Sequence, residues 1–154
     1  NEYGYTTSAE NISRLQHSTR FDNLPPDIMI IYMGNNDALV QNFNTANFEK
    51  SYRNMLNNLY TLYPNIQLFL GTLSYEKYFV GKDYYEEHVL VTAEVNRIIQ
   101  SLASEYNLPI IDFATAYSDS SYLFDTIHPN VLGMKALANV AIDAISKFYN
   151  PTTI

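Results

Sequence analysis

Pro25-Pro26-Asp27-Ile28-Met29-Ile30-Ile31-Tyr32-Met33-Gly34-Asn35-Asn36-Asp37 is the stretch from which the fold is read. Two prolines resist continuing any helix into it. The run from Asp27 to Met33 is then almost wholly apolar and rich in β-branched isoleucine, and Gly34-Asn35-Asn36 stops it. A run this short, with that stop, reads as a buried strand rather than a helix.

Downstream, helical and strand patterns alternate. Asn44-Thr45 is a capping pair for a helix to about Tyr63, with Phe48, Tyr52, Met55, Leu59 and Leu62 at three- and four-residue steps. Pro64-Asn65 ends it, and Ile66 to Leu70 reads as a second buried strand closed by Gly71-Thr72. Ser74 to Glu87 is aromatic and irregular, a loop leading into a helix from about Glu86 to Tyr106. Pro109 to Phe113 reads as a third strand. A last helix is expected from Pro129, a favoured first-turn residue, to about Tyr149. Its expected inner face is Val131, Leu132, Leu137, Val140, Ala141, Ala144, Ile145 and Phe148. Upstream of the first strand, Glu10 to about Arg20 can form a short helix. Strand-helix alternation of this kind signals a parallel sheet covered by helices with right-handed crossovers. No internal repeat, low-complexity tract or linker interrupts it.

Composition narrows the function classes. The chain has 154 residues, which suits one domain, and 47% hydrophobic residues, which argues against disorder. Sixteen acidic against nine basic residues, a net charge of -7, disfavour a nucleic-acid partner. The absence of cysteine excludes disulfides, thiolate catalysis and cysteine zinc sites. No apolar run is long enough to span a bilayer, and the first residues do not read as a signal peptide. The residues do not choose between a secreted and a cytoplasmic location.

Ligands of parallel sheets meet the protein at the carboxyl ends of the strands, and two polar clusters fall there. Gly34-Asn35-Asn36-Asp37 follows the first strand. Its glycine allows a sharp turn, and Asn36 could aim an amide N–H₂ at an oxyanion; a plain strand-end turn would use the same residue types. Asp125-Thr126-Ile127-His128-Pro129 precedes the last helix. Asp125 could orient His128 as a general base; equally, it could be a helix cap beside an exposed loop histidine.

Together these clusters give a specific resemblance. The chain resembles the SGNH hydrolases, also called the GDSL esterase/lipase family. That family's Gly-x-Asn-Asp block is matched by Gly34-Asn35-Asn36-Asp37, and its Asp-x-x-His block by Asp125-Thr126-Ile127-His128, continued by Pro129-Asn130 and Gly133. The resemblance implies a flavodoxin-like α/β fold, a three-layer sandwich around a parallel sheet, hydrolysing carboxylic esters. His128 would be the general base, Asp125 its orienting carboxylate and Asn36 an oxyanion donor. Tyr3-Gly4-Tyr5-Thr6-Thr7 looks like the block whose glycine N–H also donates, making Gly4 the second oxyanion candidate.

One departure matters. The family's nucleophile is the serine of a Gly-Asp-Ser block, and no Gly-Asp-Ser occurs in these 154 residues. The resemblance therefore implies that the block, with its strand and roughly 40 to 60 further residues, precedes Asn1. The chain is expected to be most of one domain, an N-terminally truncated one that is inactive alone and folds only with the preceding segment present. Ser74, Ser118, Ser120 and Ser121 are the candidate substitutes, though none sits on a glycine-flanked strand-to-helix elbow.

The remaining candidates have simpler readings. His17 and His88 fall on expected helices, in surface or core roles. No His/Asp/Glu set has metal-ligand spacing, so no metal or other cofactor is expected. Tyr75, Tyr78, Tyr84 and Tyr85 could line a carbohydrate site or simply pack. With no long apolar lid in the sequence, short acyl chains on small-molecule or carbohydrate esters are the favoured substrates. Two rival classes stand: a binding or structural module of the same fold without the nucleophile, and a nucleotide-binding domain, which lacks a Gly-rich phosphate loop.

Overall fold

A computed structural model describes residues 25–38, 43–74, 85–117, 120–125 and 128–150. Strands β1 (Ile28–Ile31), β2 (Gln67–Gly71) and β3 (Ile110–Ile111) lie side by side in that order, each pair parallel. Ile30 stands opposite Phe69, and Leu70 opposite Ile110. Parallel neighbours need long crossovers. The single turn α1 (Asn35–Ala38) and the helix α2 (Thr45–Leu62) connect β1 to β2, and α3 (Tyr85–Glu105) connects β2 to β3. Helix α4 (Val131–Tyr149) follows the sheet. The expected alternation is thus the one observed. The helix read at Glu10–Arg20 lies outside the described residues, as do Gly4, His17, Tyr75, Tyr78, Tyr84 and Ser118.

Successive side chains of β2 point to opposite faces, which produces three layers. Leu68 and Leu70 join Phe48, Tyr52, Met55, Leu56 and Leu59 of α2 and Val95, Ile98, Ile99 and Leu102 of α3 in one core cluster. Phe69 faces the other way and packs with Ile111, Phe113 and Leu137 of α4 in a second. Each fully buried side chain of this size contributes about 1.5–3 kcal/mol relative to exposure. Helix α2 starts where its cap predicts, with Asn44 Oδ1 accepting from the Asn47 backbone N–H at 2.9 Å. No helix among the described residues is long and apolar enough to cross a membrane.

Three expectations are corrected. β1 is shorter than Asp27–Met33 and is not buried on both sides: Ile28 and Ile30 are each 39% exposed, on the face that Phe69 shares. β3 is shorter than Pro109–Phe113, because the chain turns at Asp112 into a 3-10 turn over Phe113–Thr115. There Thr72 Oγ1 donates to Asp112 Oδ1 at 2.9 Å and accepts from the Ala114 N–H at 3.0 Å, drawing the chain away from the ladder. Finally, Pro129 does not open the last helix. It forms an antiparallel bridge with Leu123, and Asn130 is the cap. The first turn of α4 consequently rests on the loop at Tyr122 rather than on the sheet. Val131 and Leu132 are therefore exposed, and Phe148 is only partly covered at the far end.

A buried side-chain clamp positions the end of β2. Asn96 of α3 accepts from the Leu73 N–H at 2.7 Å and donates to the Leu73 carbonyl at 2.9 Å, doing for Leu73 what a further strand would do. Both residues are buried. Asn96→Ala would strand two backbone groups away from water, at a cost of about 2–4 kcal/mol. Urea unfolding measures this, and a variant as stable as the parent would disprove the clamp.

Candidate functional site

The carboxyl end of β1 is shaped by one glycine. Gly34 has φ +127°, a region that side chains disfavour, and a Cβ there would lie 3.2 Å from Val95 and 3.3 Å from Leu73. The turn can therefore close against the core. α1 follows, with the Ala38 N–H donating to the Gly34 carbonyl at 2.9 Å. Asp37 and Ala38 face inward while Asn36 is exposed. His88 of α3 is buried, and its Nδ1 donates to the Ala38 carbonyl at 3.1 Å, pinning this turn from behind. Of the two readings open for His88, the core role is the one observed.

Asp125 and His128 stand at the neck of a narrow loop. The Phe124 N–H donates to the His128 carbonyl at 2.8 Å, Leu123 bridges Pro129, and the Asn130 N–H donates to the Tyr122 carbonyl at 2.9 Å. Within this frame the Asp125 carboxylate contacts both the backbone and the ring of His128, while the cap of the last helix is Asn130. Oδ1 accepts from the His128 backbone N–H at 2.7 Å, and Oδ2 lies 2.7 Å from His128 Nδ1. A carboxylate on Nδ1 selects the tautomer that carries its proton there and leaves Nε2 with a lone pair. The His128 side chain is 72% exposed, so the ring stands out at the carboxyl-end surface.

Asn130 ties this loop to α4 with every polar atom of its side chain. Oδ1 accepts from the Leu132 and Gly133 N–H groups at 2.8 and 3.1 Å. Nδ2 donates to the Ser121 and Leu123 carbonyls at 2.7 and 3.1 Å. Sequence reasoning noted Asn130 only as a motif neighbour. The signal available was an asparagine directly before a helical run, a favoured N-cap residue.

Ser74, a candidate substitute nucleophile, is buried at the end of β2. Its Oγ lies 3.4 Å from the Tyr32 hydroxyl and 3.2 Å from the Tyr117 hydroxyl, so its neighbours are phenols rather than an imidazole. Ser120 and Ser121 lie in the 3-10 turn that leads to the loop. Tyr85 opens α3. Among the described residues no three His, Cys, Asp or Glu side chains gather as a metal site. Asp125 and His128 are thus brought into contact. Asn36 stands at the same edge of the sheet at the end of β1, while the pair is on the loop beyond β3.

The profile of the GDSL-like lipase/acylhydrolase family matches residues 3–136. No curated protein matches the chain. Solved structures of similar fold include Axe2, an acetylxylan esterase from Geobacillus stearothermophilus, at 19% identity and a TM-score of 0.68, covering 92% of this chain and 68% of that one. Another is a family 3 carbohydrate esterase from Clostridium thermocellum, at 20% identity and a TM-score of 0.66, covering 96% of this chain and 68% of that one.

Proposed function

The chain belongs to the GDSL-like lipase/acylhydrolase family of ester hydrolases, and from that premise we propose a serine esterase whose nucleophile lies in a segment preceding Asn1. The observation that carries the reading is the 2.7 Å contact between Asp125 Oδ2 and His128 Nδ1, which leaves an exposed Nε2 able to take a proton. The serine Oγ attacks the ester carbonyl as its proton passes to Nε2. Asn36 Nδ2 and the Gly4 N–H donate to the oxyanion of the tetrahedral intermediate. Collapse expels the alcohol, which takes the proton back from His128. Water, activated by the same nitrogen, then releases the acid and frees the serine. The favoured substrates carry short acyl groups on small molecules or sugars, in keeping with the acetylxylan and carbohydrate esterases of similar fold.

Three features support an upstream segment as part of the same domain. Among the described residues β1 pairs with β2 alone, so one edge of an apolar strand has no described neighbour. Exposed strand edges of this kind invite pairing. Ile28 and Ile30 stand open on the face beside α4, whose outer side presents Val131, Met134 and Ile142 at 72, 57 and 62% exposure. An apolar groove of about 540 Å³ runs along the start of that helix, between Phe124, Pro129, Val131, Met134 and Ala138. A strand on the open edge and a helix over this surface would bring a serine at the strand's end to the carboxyl edge of the sheet, where His128 stands.

Treating the full-length protein with a fluorophosphonate and mapping the adduct tests the reading. The label is expected on one serine upstream of Asn1, and the 154 residues alone are expected to take none. A label on Ser74, Ser120 or Ser121, or none on the full-length protein, overturns it. Asn36→Ala is expected to lower kcat for 4-nitrophenyl acetate by roughly 10²- to 10³-fold with little change in KM. Because Asn36 is exposed, thermal unfolding should not move. An unaltered kcat would remove Asn36 from the oxyanion site.

A further inference from the structure

Three hydroxyls from three different strand ends meet at the carboxyl edge of the sheet. Tyr32 leaves β1 four positions before Asn36, Ser74 follows β2, and Tyr117 follows β3. Their contacts, 3.4 and 3.2 Å, are longer than the roughly 2.7–2.8 Å typical of O–H···O bonds. Each of these hydroxyls can both donate and accept, so it can take either role toward a ligand hydroxyl.

The rings are fixed more firmly than the hydroxyls. Tyr32 packs edge-on against Phe113, with centroids 4.6 Å apart. Tyr117 stacks on Tyr122, with centroids 5.8 Å apart and an interplanar angle of 14°. Tyr122 belongs to the base of the Asp125–His128 loop, since its carbonyl receives the Asn130 N–H. All three tyrosines are half-buried, each keeping part of its surface open. Behind them, the Asn96 clamp fixes Leu73 and hence the backbone that carries Ser74. The row therefore joins the residues that follow β1, β2 and β3 to Tyr122 at the base of the Asp125–His128 loop.

We infer that Tyr32, Ser74, Tyr117 and Tyr122 form the subsite for the alcohol half of the ester, and that this alcohol is a polyhydroxylated ring of the pyranose class. The inference rests on the ester-hydrolase reading for its orientation and on the aromatic row for its chemistry. The axial C–H bonds of a pyranose carry slight positive charge and suit the negative face of a phenol ring. Its equatorial hydroxyls match the mixed donor and acceptor set of Tyr32 and Ser74. An acyl chain would meet hydroxyls there that it could not satisfy, so a wholly apolar occupant is disfavoured.

Methyl β-xylopyranoside is the probe, titrated by NMR into full-length protein carrying His128→Ala. Saturable binding is expected, weakened at least tenfold by Tyr32→Phe, which keeps the ring and removes one hydroxyl. Tyr117→Leu, which removes the stacking face, should weaken it at least as much. Absence of saturable binding, or binding by either variant as tight as the parent's, overturns the subsite. Hydrolysis of 4-nitrophenyl acetate by the protein with His128 intact separates this from the esterase reading. Hydrolysis without pyranoside binding sinks the subsite alone. Tyr32-dependent binding without hydrolysis upholds the sugar site and sinks the esterase reading.

Discussion

Replacing His128 with alanine in the full-length protein should lower kcat for 4-nitrophenyl acetate by roughly 10³- to 10⁴-fold, with KM changed far less. The reason is the position of Nε2, which is the one ring nitrogen left once Asp125 holds Nδ1 at 2.7 Å. Without it, the serine must lose its proton to water and the leaving alcohol must find another acid. Residual activity would come from substrate binding and oxyanion donors. Asp125→Asn should cost less, roughly 10²- to 10³-fold. Its side chain is 46% exposed, so water competes for the imidazole and the carboxylate's hold is weaker than at a buried site. An asparagine oxygen can still accept the His128 backbone N–H, the bond now made by Oδ1 at 2.7 Å. That variant should therefore keep the loop folded while losing activity, separating the carboxylate's effect on the ring from its effect on the backbone. Assays on the two variants at equal concentrations of folded protein give both numbers. A His128→Ala enzyme retaining more than a tenth of the parent kcat would falsify the base assignment.

Gly133→Ala should destabilise the protein by about 3 kcal/mol or more. In a helix the exchange ordinarily stabilises, by about 0.5–1 kcal/mol, because alanine loses less backbone freedom on folding. Here the sign reverses. A Cβ at position 133 would sit 2.3 Å from the Tyr122 carbonyl oxygen and 2.8 Å from Pro129 Cβ. The nearest obstacle is backbone, which cannot swing aside like a flexible side chain. The same carbonyl receives the Asn130 N–H, so relieving the clash pulls apart the base of the Asp125–His128 loop. Urea unfolding and esterase assays should therefore fall together. A Gly133→Ala protein as stable as the parent would show that α4 does not rest on this loop as described.

Elements and motifs were legible because they are local. Phe48, Tyr52, Met55 and Leu59 repeat with the helical period, and each is buried where that period places it. Asp125 and His128 are three residues apart, so the contact between them needs little more than one turn of loop. Errors arose where burial depends on what lies across space. The run Asp27–Met33 reads as a strand buried on both faces, yet Ile28 and Ile30 are partly open, since no described element covers them. Val131 and Leu132 have the right spacing for an inner face but precede the point at which α4 reaches the sheet.

By itself, then, the sequence determined the order of strands and helices, the family to which the chain belongs, and the candidate pair Asp125–His128. Hydrophobic period, turn residues and short spacings carry that information within one element or one loop. Tertiary structure alone decided the rest: that Asn96 clamps Leu73, that Asn130 joins loop to helix, and that Ser74 meets Tyr32 and Tyr117. Tyr32 and Ser74 are 42 positions apart, and Ser74 and Tyr117 are 43. No local pattern specifies such a meeting. It follows from the parallel register of β1, β2 and β3, which delivers three distant strand ends to one edge.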